Sequence, residues 1–293
     1  MTLDFRLVAD TRCRLAESPV YDARTDTLFF VDILGCRLHA VGLGDGRAGR
    51  WSFDREVGCA GLTGSRRLVL GLRDRVVLFD PQTGEQELVA EVGLDPAAAR
   101  LNDGKVGPDG ALWAAAMDDR DEKGPTASLY RVAPDGTCRA VLGGLTIGNG
   151  IAWSGDGRTM YLADSRGPWI DAFDFDPAGG ALSGRRRFAD LDDATGRPDG
   201  GATDAEGCYW SAGVSAGVLN RFAPDGRLIE RHELPVPAPT MPCFGGRDNR
   251  TVFVTSLREG RSEEALARAP ASGGVLAAET GVAGVPPWRF GRG

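Results

Sequence analysis

The chain has 293 residues, 42% of them hydrophobic and 26% charged, with 42 glycines and a formal charge of −7. That length supports one large all-β domain or two average ones, and no apolar run reaches the 18 or so residues a membrane helix needs. The acidic balance does not favour a polyanionic partner, so neither nucleic acid nor membrane is expected.

The opening stretch MTLDFRLVADTRC has an early aspartate, no basic region and no apolar core. Nothing in it directs export, and a cytoplasmic location is expected. Its FRLVAD (5–10) reads as a strand with no hairpin partner nearby. Beyond it the chain alternates two units. A turn followed by an apolar strand recurs as DARTDTLFFVDI (22–33), GSRRLVLGL (64–72), GPDGALWAAAM (107–117), SGDGRTMYLAD (154–164), DAEGCYWSAGV (204–214) and GRDNRTVFVTSL (246–257). A strand running into a hairpin turn follows each, as in CRLHAVGLGDG (36–46), SLYRVAPDG (128–136) and GVLNRFAPDG (217–226). Return strands GRWSFD, QELVAEV, CRAVLGG, RRRFADL and LIERHELP close five of the repeats. The sixth lacks one, and FRLVAD, which resembles ELVAEV (87–92), is expected to supply it.

A period of roughly 40 to 50 residues is one propeller blade. The expected fold is therefore an all-β six-bladed β-propeller with four-stranded blades, closed by its N-terminal strand. It forms a single domain over 1–293, and a monomer is expected. The best helix pattern is Ser262–Ala269, about two turns.

The innermost strands of a propeller line its channel, and ligand sites lie at one mouth. About 9 to 12 positions before each apolar strand the repeats place Glu17, Cys59, Asn102, Asn149, Asp199 and the Met241–Cys243 region. Carboxylate and carboxamide oxygens meeting in one channel are costly to bury unless paired or bound to metal, and they suit a hard divalent cation. Asp199 lies in a fourth Pro-Asp-Gly triplet, out of phase with those at 108–110, 134–136 and 224–226, which fall at hairpin turns.

Other signals read as structural. His39 and His232, the only histidines, fall on outer-strand patterns, and Arg185-Arg186-Arg187 reads as a solvated strand end or turn. GVSAG (213–217) matches a nucleophile elbow but joins two strands of one blade. The six cysteines are widely spaced without a Cys-x-x-Cys pair and are expected to be reduced. No phosphate-binding loop, dinucleotide fingerprint or EF-hand loop is present.

The segments LAESPVYD, RLNDGKVGPDGALWAAAMD, IGNGIAWSGDGRTMYLADS, RPDGGATDAEGCYW and CFGG, from about Leu15 to Pro286, together resemble the SMP-30/gluconolactonase (regucalcin) family. The resemblance implies a six-bladed propeller with one divalent cation (Ca, Zn, Mg, Mn or Fe) at the channel mouth and hydrolysis of a sugar lactone to an aldonic acid. It puts metal ligands at Glu17, Asn149 and Asp199 and substrate contacts at Arg100 and Asn102, with Asp103 and Lys105 completing that motif. Asp199 would also orient or deprotonate the attacking water. Where some members carry a substrate-contacting Glu, this chain reads Met117-Asp118-Asp119-Arg120. Either Asp118 or Asp119 takes that role, or Arg120 alters substrate preference. The alternatives are a propeller esterase or phosphotriesterase, or a calcium-binding propeller without catalysis.

Overall fold

In the computed structural model, which describes residues 3–291, six antiparallel sheets form a six-bladed β-propeller. The inner strands, in blade order, are Ala16–Asp22, Val57–Thr63, Ala99–Val106, Gly148–Trp153, Pro198–Thr203 and Pro239–Gly245. Three antiparallel strands follow each one outward, and in blade 6 the outermost is the N-terminal Arg6–Ala9, paired with Val275–Glu279. The N-terminal strand thus completes the sheet of the sixth blade beside Val275–Glu279, which joins the two ends of the ring.

Burial follows the same radial order. Inner strands are almost wholly buried, whereas outer strands such as Ala48–Ser52 and Leu182–Asp190 face solvent on alternate or most positions. Large aromatics pack between blades: Trp113 with Trp153 and Phe175, Tyr161 with Tyr209, Trp210 with Phe244, and Tyr21 with Phe253. Such rings bury the most apolar area per residue and hold adjacent blades in register.

The hairpin aspartates are structural. Asp109 accepts from the Trp113 indole and Arg131, and Asp204 accepts from the Trp210 indole and Arg221 in the equivalent place. Gly110, Gly136 and Gly226 of the three in-phase Pro-Asp-Gly triplets all have positive φ, as hairpin turns demand, whereas Pro198-Asp199-Gly200 lies within an inner strand.

Two features differ from the four-stranded plan. Arg289–Phe290 adds a short parallel strand to blade 2 beside Leu62 and Thr63. The preceding segment, 285–288, lines a cavity of about 80 Å³ together with Lys105, Trp153, Met241 and Phe244. The helix is Glu263–Arg268, capped by the Ser262 side chain, and it carries no buried residue. The arginine run lies along an outer strand, where Arg185 and Arg187 bond Asp171 and stack near Trp169. All six cysteines are free thiols.

Candidate metal centre and active site

Every inner strand carries a register shift near its start: Glu17/Val20, Val57/Cys59, Leu101/Asp103, Asn149/Ala152, Pro198/Gly201 and Pro239/Pro242. Each falls at or beside the residue that the repeats place in phase. A bulge bends the strand and re-aims a side chain that regular pleating would bury within the sheet. The six-fold ring of bulges is therefore the device that collects side chains at one mouth.

In blade 1 the bulge holds Ser18 at φ +47°, a left-handed conformation uncommon for a residue with a Cβ. Two contacts hold it there: the Ser18 N–H donates to Glu17 Oε2 at 2.8 Å, and Ser18 Oγ accepts from the Ala60 N–H of blade 2 at 2.9 Å. In blade 5, a Cβ on Gly200 would come within 2.3 Å of Met241 Cγ. The residue after Asp199 is a glycine because two inner strands touch there.

A chain of hydrogen bonds crosses three blades. Arg100 Nη1 donates to Asn102 Oδ1 at 2.8 Å, and Asn102 Nδ2 donates to Asn149 Oδ1 at 2.9 Å and to the Gly148 carbonyl at 3.1 Å. Asn149 Nδ2 donates to Ser165 Oγ at 2.7 Å, and Ser165 Oγ donates to the Pro198 carbonyl at 2.6 Å. Because Ser165 spends its own proton on Pro198, it must accept from Asn149, which fixes the Asn149 amide with its oxygen toward Asn102. Both Asn102 donors are used. Its oxygen keeps one acceptor position, and among the described residues none bonds Arg100 Nη2.

The acids are strained electrostatically. Burial, then the charges of Asp199 and Asp103, push the Glu17 carboxyl well above the usual range. Burial, then the charge of Asp103, does the same to Asp199, against the lowering pull of Arg197 and Arg100. Asp103 is raised by burial and lowered by Lys105, whose own ammonium burial weakens. Asp103 Oδ2 accepts from the Ile151 N–H, while Oδ1 is buried without a hydrogen-bond partner. Carboxyls raised by burial and by neighbouring acids call for a cation, and the Glu17, Asn149 and Asp199 oxygens contain nothing softer, which fits a hard divalent ion.

The expected substrate acids separate. Asp118 is fully buried and committed to Arg120, the Gly124 N–H and Thr126, folding the 118–126 loop onto itself. Asp119 instead accepts from Arg73 at 2.8 Å and lies 3.7 Å from Arg100 Nε. Arg120 is tied to Asp118 in the same loop. The two histidines are both buried, and His39 lies on a third strand, Arg37–Gly42, not an outer one. Sequence reasoning passed over Ser165, although it ends the IGNGIAWSGDGRTMYLADS segment 16 residues after Asn149, and over a Cys13, Asp32 and His39 cluster assembled across the ring closure.

Residues 15–258 match the model of the SMP-30/Gluconolactonase/LRE-like region. The chain is 37% identical to 6-deoxy-6-sulfogluconolactonase of Pseudomonas putida over 273 residues, 92% of each chain. It is 35% identical to regucalcin of Gallus gallus, covering 97% of each. A solved calcium-binding protein, regucalcin of Agrobacterium tumefaciens, superposes with a TM-score of 0.92 at 29% identity, covering 99% of this chain and 97% of that one. The fold and these relatives define a lactonase-type propeller. The chain belongs to the SMP-30/gluconolactonase/LRE-like family.

Proposed function

We propose that the chain hydrolyses a sugar lactone to its aldonic acid, with a divalent cation held by Glu17, Asn149 and Asp199. Membership of the family supports the reaction class. What supports the site is an Asn149 amide locked by Asn102 and Ser165, with Glu17 and Asp199 carboxyls raised by burial and neighbouring acids at the same register position of their own blades.

A cation bound there supplies positive charge that polarises the lactone carbonyl and stabilises charge developing on its oxygen. Asp199 orients a water and accepts its proton at a carboxylate oxygen as the water oxygen bonds the carbonyl carbon. The ring C–O bond then breaks, and that proton passes to the departing ring oxygen, which becomes the hydroxyl of the open acid. Glu17 adds negative charge to the cation site, and Asn149 adds a neutral oxygen. Arg100 Nη2 donates to a substrate oxygen, and the remaining acceptor position of Asn102 Oδ1 takes a hydroxyl proton. Positioning of this kind converts a loose encounter into an aligned attack. Asp119, beside Arg100, is the acid that senses a hydroxyl at this edge, and Asp118 is not.

Acid release across a panel of aldonolactones, with an aryl ester and a phosphotriester beside them, tests the reading. Turnover of one or more aldonolactones that stops on chelation and returns with a divalent cation is expected. Turnover confined to the ester or phosphotriester, or unaffected by chelation, overturns it.

A further inference from the structure

We propose that Cys13, Asp32 and His39 form a second metal site, a zinc site at the closure of the ring. Cys13 lies between the closing strand Arg6–Ala9 and the first inner strand, Asp32 ends the second strand of blade 1, and His39 lies on its third. The three are 1%, 2% and 8% exposed, and one donor atom of each lies within 4.8 Å of the other two.

Cys13 Sγ is 3.7 Å from His39 Nε2. Zinc–sulfur and zinc–nitrogen bonds meeting at a tetrahedral angle set those atoms roughly 3.6 Å apart, so this pair already has the required spacing. Phe30 stacks on the His39 ring at 5.1 Å and fixes its plane.

Comparison with blade 4 shows what is unusual about Asp32. Asp164, the aspartate ending the second strand there, spends both oxygens on the amides of Thr146, Ile147, Arg166 and Gly167. Asp32 receives the amides of Leu15 and Gly35 on Oδ1 alone, and among the described residues no hydrogen bond reaches Oδ2. That leaves one carboxylate oxygen for a metal while the other anchors the chain just ahead of Glu17.

Burial pushes the Cys13 thiol up to about 12, so without metal it is neutral. Binding transfers that proton to solvent, and thiolate and carboxylate together neutralise the ion. The Thr11 hydroxyl, 3.2 Å from the sulfur, or a water completes four-coordination. Thiolate with imidazole selects zinc over calcium or magnesium, the reverse of the all-oxygen channel mouth.

Cobalt(II) titrated into chelator-stripped full-length protein distinguishes the two sites, because only a thiolate ligand gives a sulfur-to-metal charge-transfer absorption. One equivalent producing that absorption is expected. Cys13→Ser should abolish it, and His39→Gln should weaken cobalt binding at this site about tenfold or more. A wild-type titration without the absorption overturns the proposal, as does an absorption that survives unchanged in Cys13→Ser. If Cys13→Ser does not fold, the wild-type titration and His39→Gln decide, and unweakened binding in His39→Gln then overturns it.

Discussion

Asn149 donates to Ser165 at 2.7 Å, and that contact decides which way the Asn149 oxygen faces. No hydrogen bond joins Ser165 to the Glu17 or Asp199 side chain, yet it joins the strand carrying Asn149 to the carbonyl immediately before Asp199. It is a positioning residue. Ser165→Ala should lower the affinity of the channel mouth for its cation about 10-fold to 100-fold, as loss of an outer partner of a metal ligand does elsewhere. Cation titration by calorimetry reads this directly, and unchanged affinity in a folded variant would remove Ser165 from the account.

Asp204 and Asp199 lie five positions apart and are expected to fail in different ways. Asp204 is fully buried between the Trp210 indole and Arg221. Asp204→Asn should cost about 3 kcal/mol of stability, because it weakens the pairing of a largely buried guanidinium. Turnover per folded molecule should stay near wild type. Urea unfolding beside active-site titration separates the two effects.

Ser18→Ala removes the acceptor for the buried Ala60 N–H. An unsatisfied buried donor costs about 1–3 kcal/mol, and the left-handed backbone loses one of the contacts that hold it. Denaturant unfolding should show that loss together with a fall in kcat, since the same turn presents Glu17. A drop in stability with kcat intact would separate the bulge from catalysis.

The acids make the cation-free protein pH-sensitive in a definite direction. Glu17 and Asp199 are raised chiefly by burial, then by neighbouring carboxylates. The folded state therefore holds protons that the unfolded chain releases near pH 4. That contribution is fully present below about pH 4 and is lost as pH rises through the raised values. With chelator present, wild-type Tm should fall relative to a Glu17→Gln/Asp199→Asn double variant as pH increases from about 5 to about 8. Saturating cation should abolish the relative fall, whereas parallel curves in chelator would contradict the electrostatic picture.

Much of the fold was legible because each blade repeats a local pattern of turn and apolar strand, and the absence of a sixth return strand pointed to the N-terminus. Phase alone separated Asp199 from the hairpin aspartates. The bulges were not legible, since a register shift depends on the neighbouring strand as much as on the residues that form it. The separation of Asp118 from Asp119 depends on how the 118–126 loop folds back, which no spacing encodes. The Cys13, Asp32 and His39 group escaped notice because ring closure alone brings the Cys13 connection against blade 1.

The central claim rests on Asp199. Acid release from the best lactone of the panel should be compared between wild type and Asp199→Asn at saturating cation, with Tm confirming that both are folded. A fall in kcat of about 10²-fold to 10⁴-fold is predicted, the range a positioned general base contributes. A folded, cation-saturated Asp199→Asn with kcat within about twofold of wild type, below 0.5 kcal/mol of barrier, would contradict it.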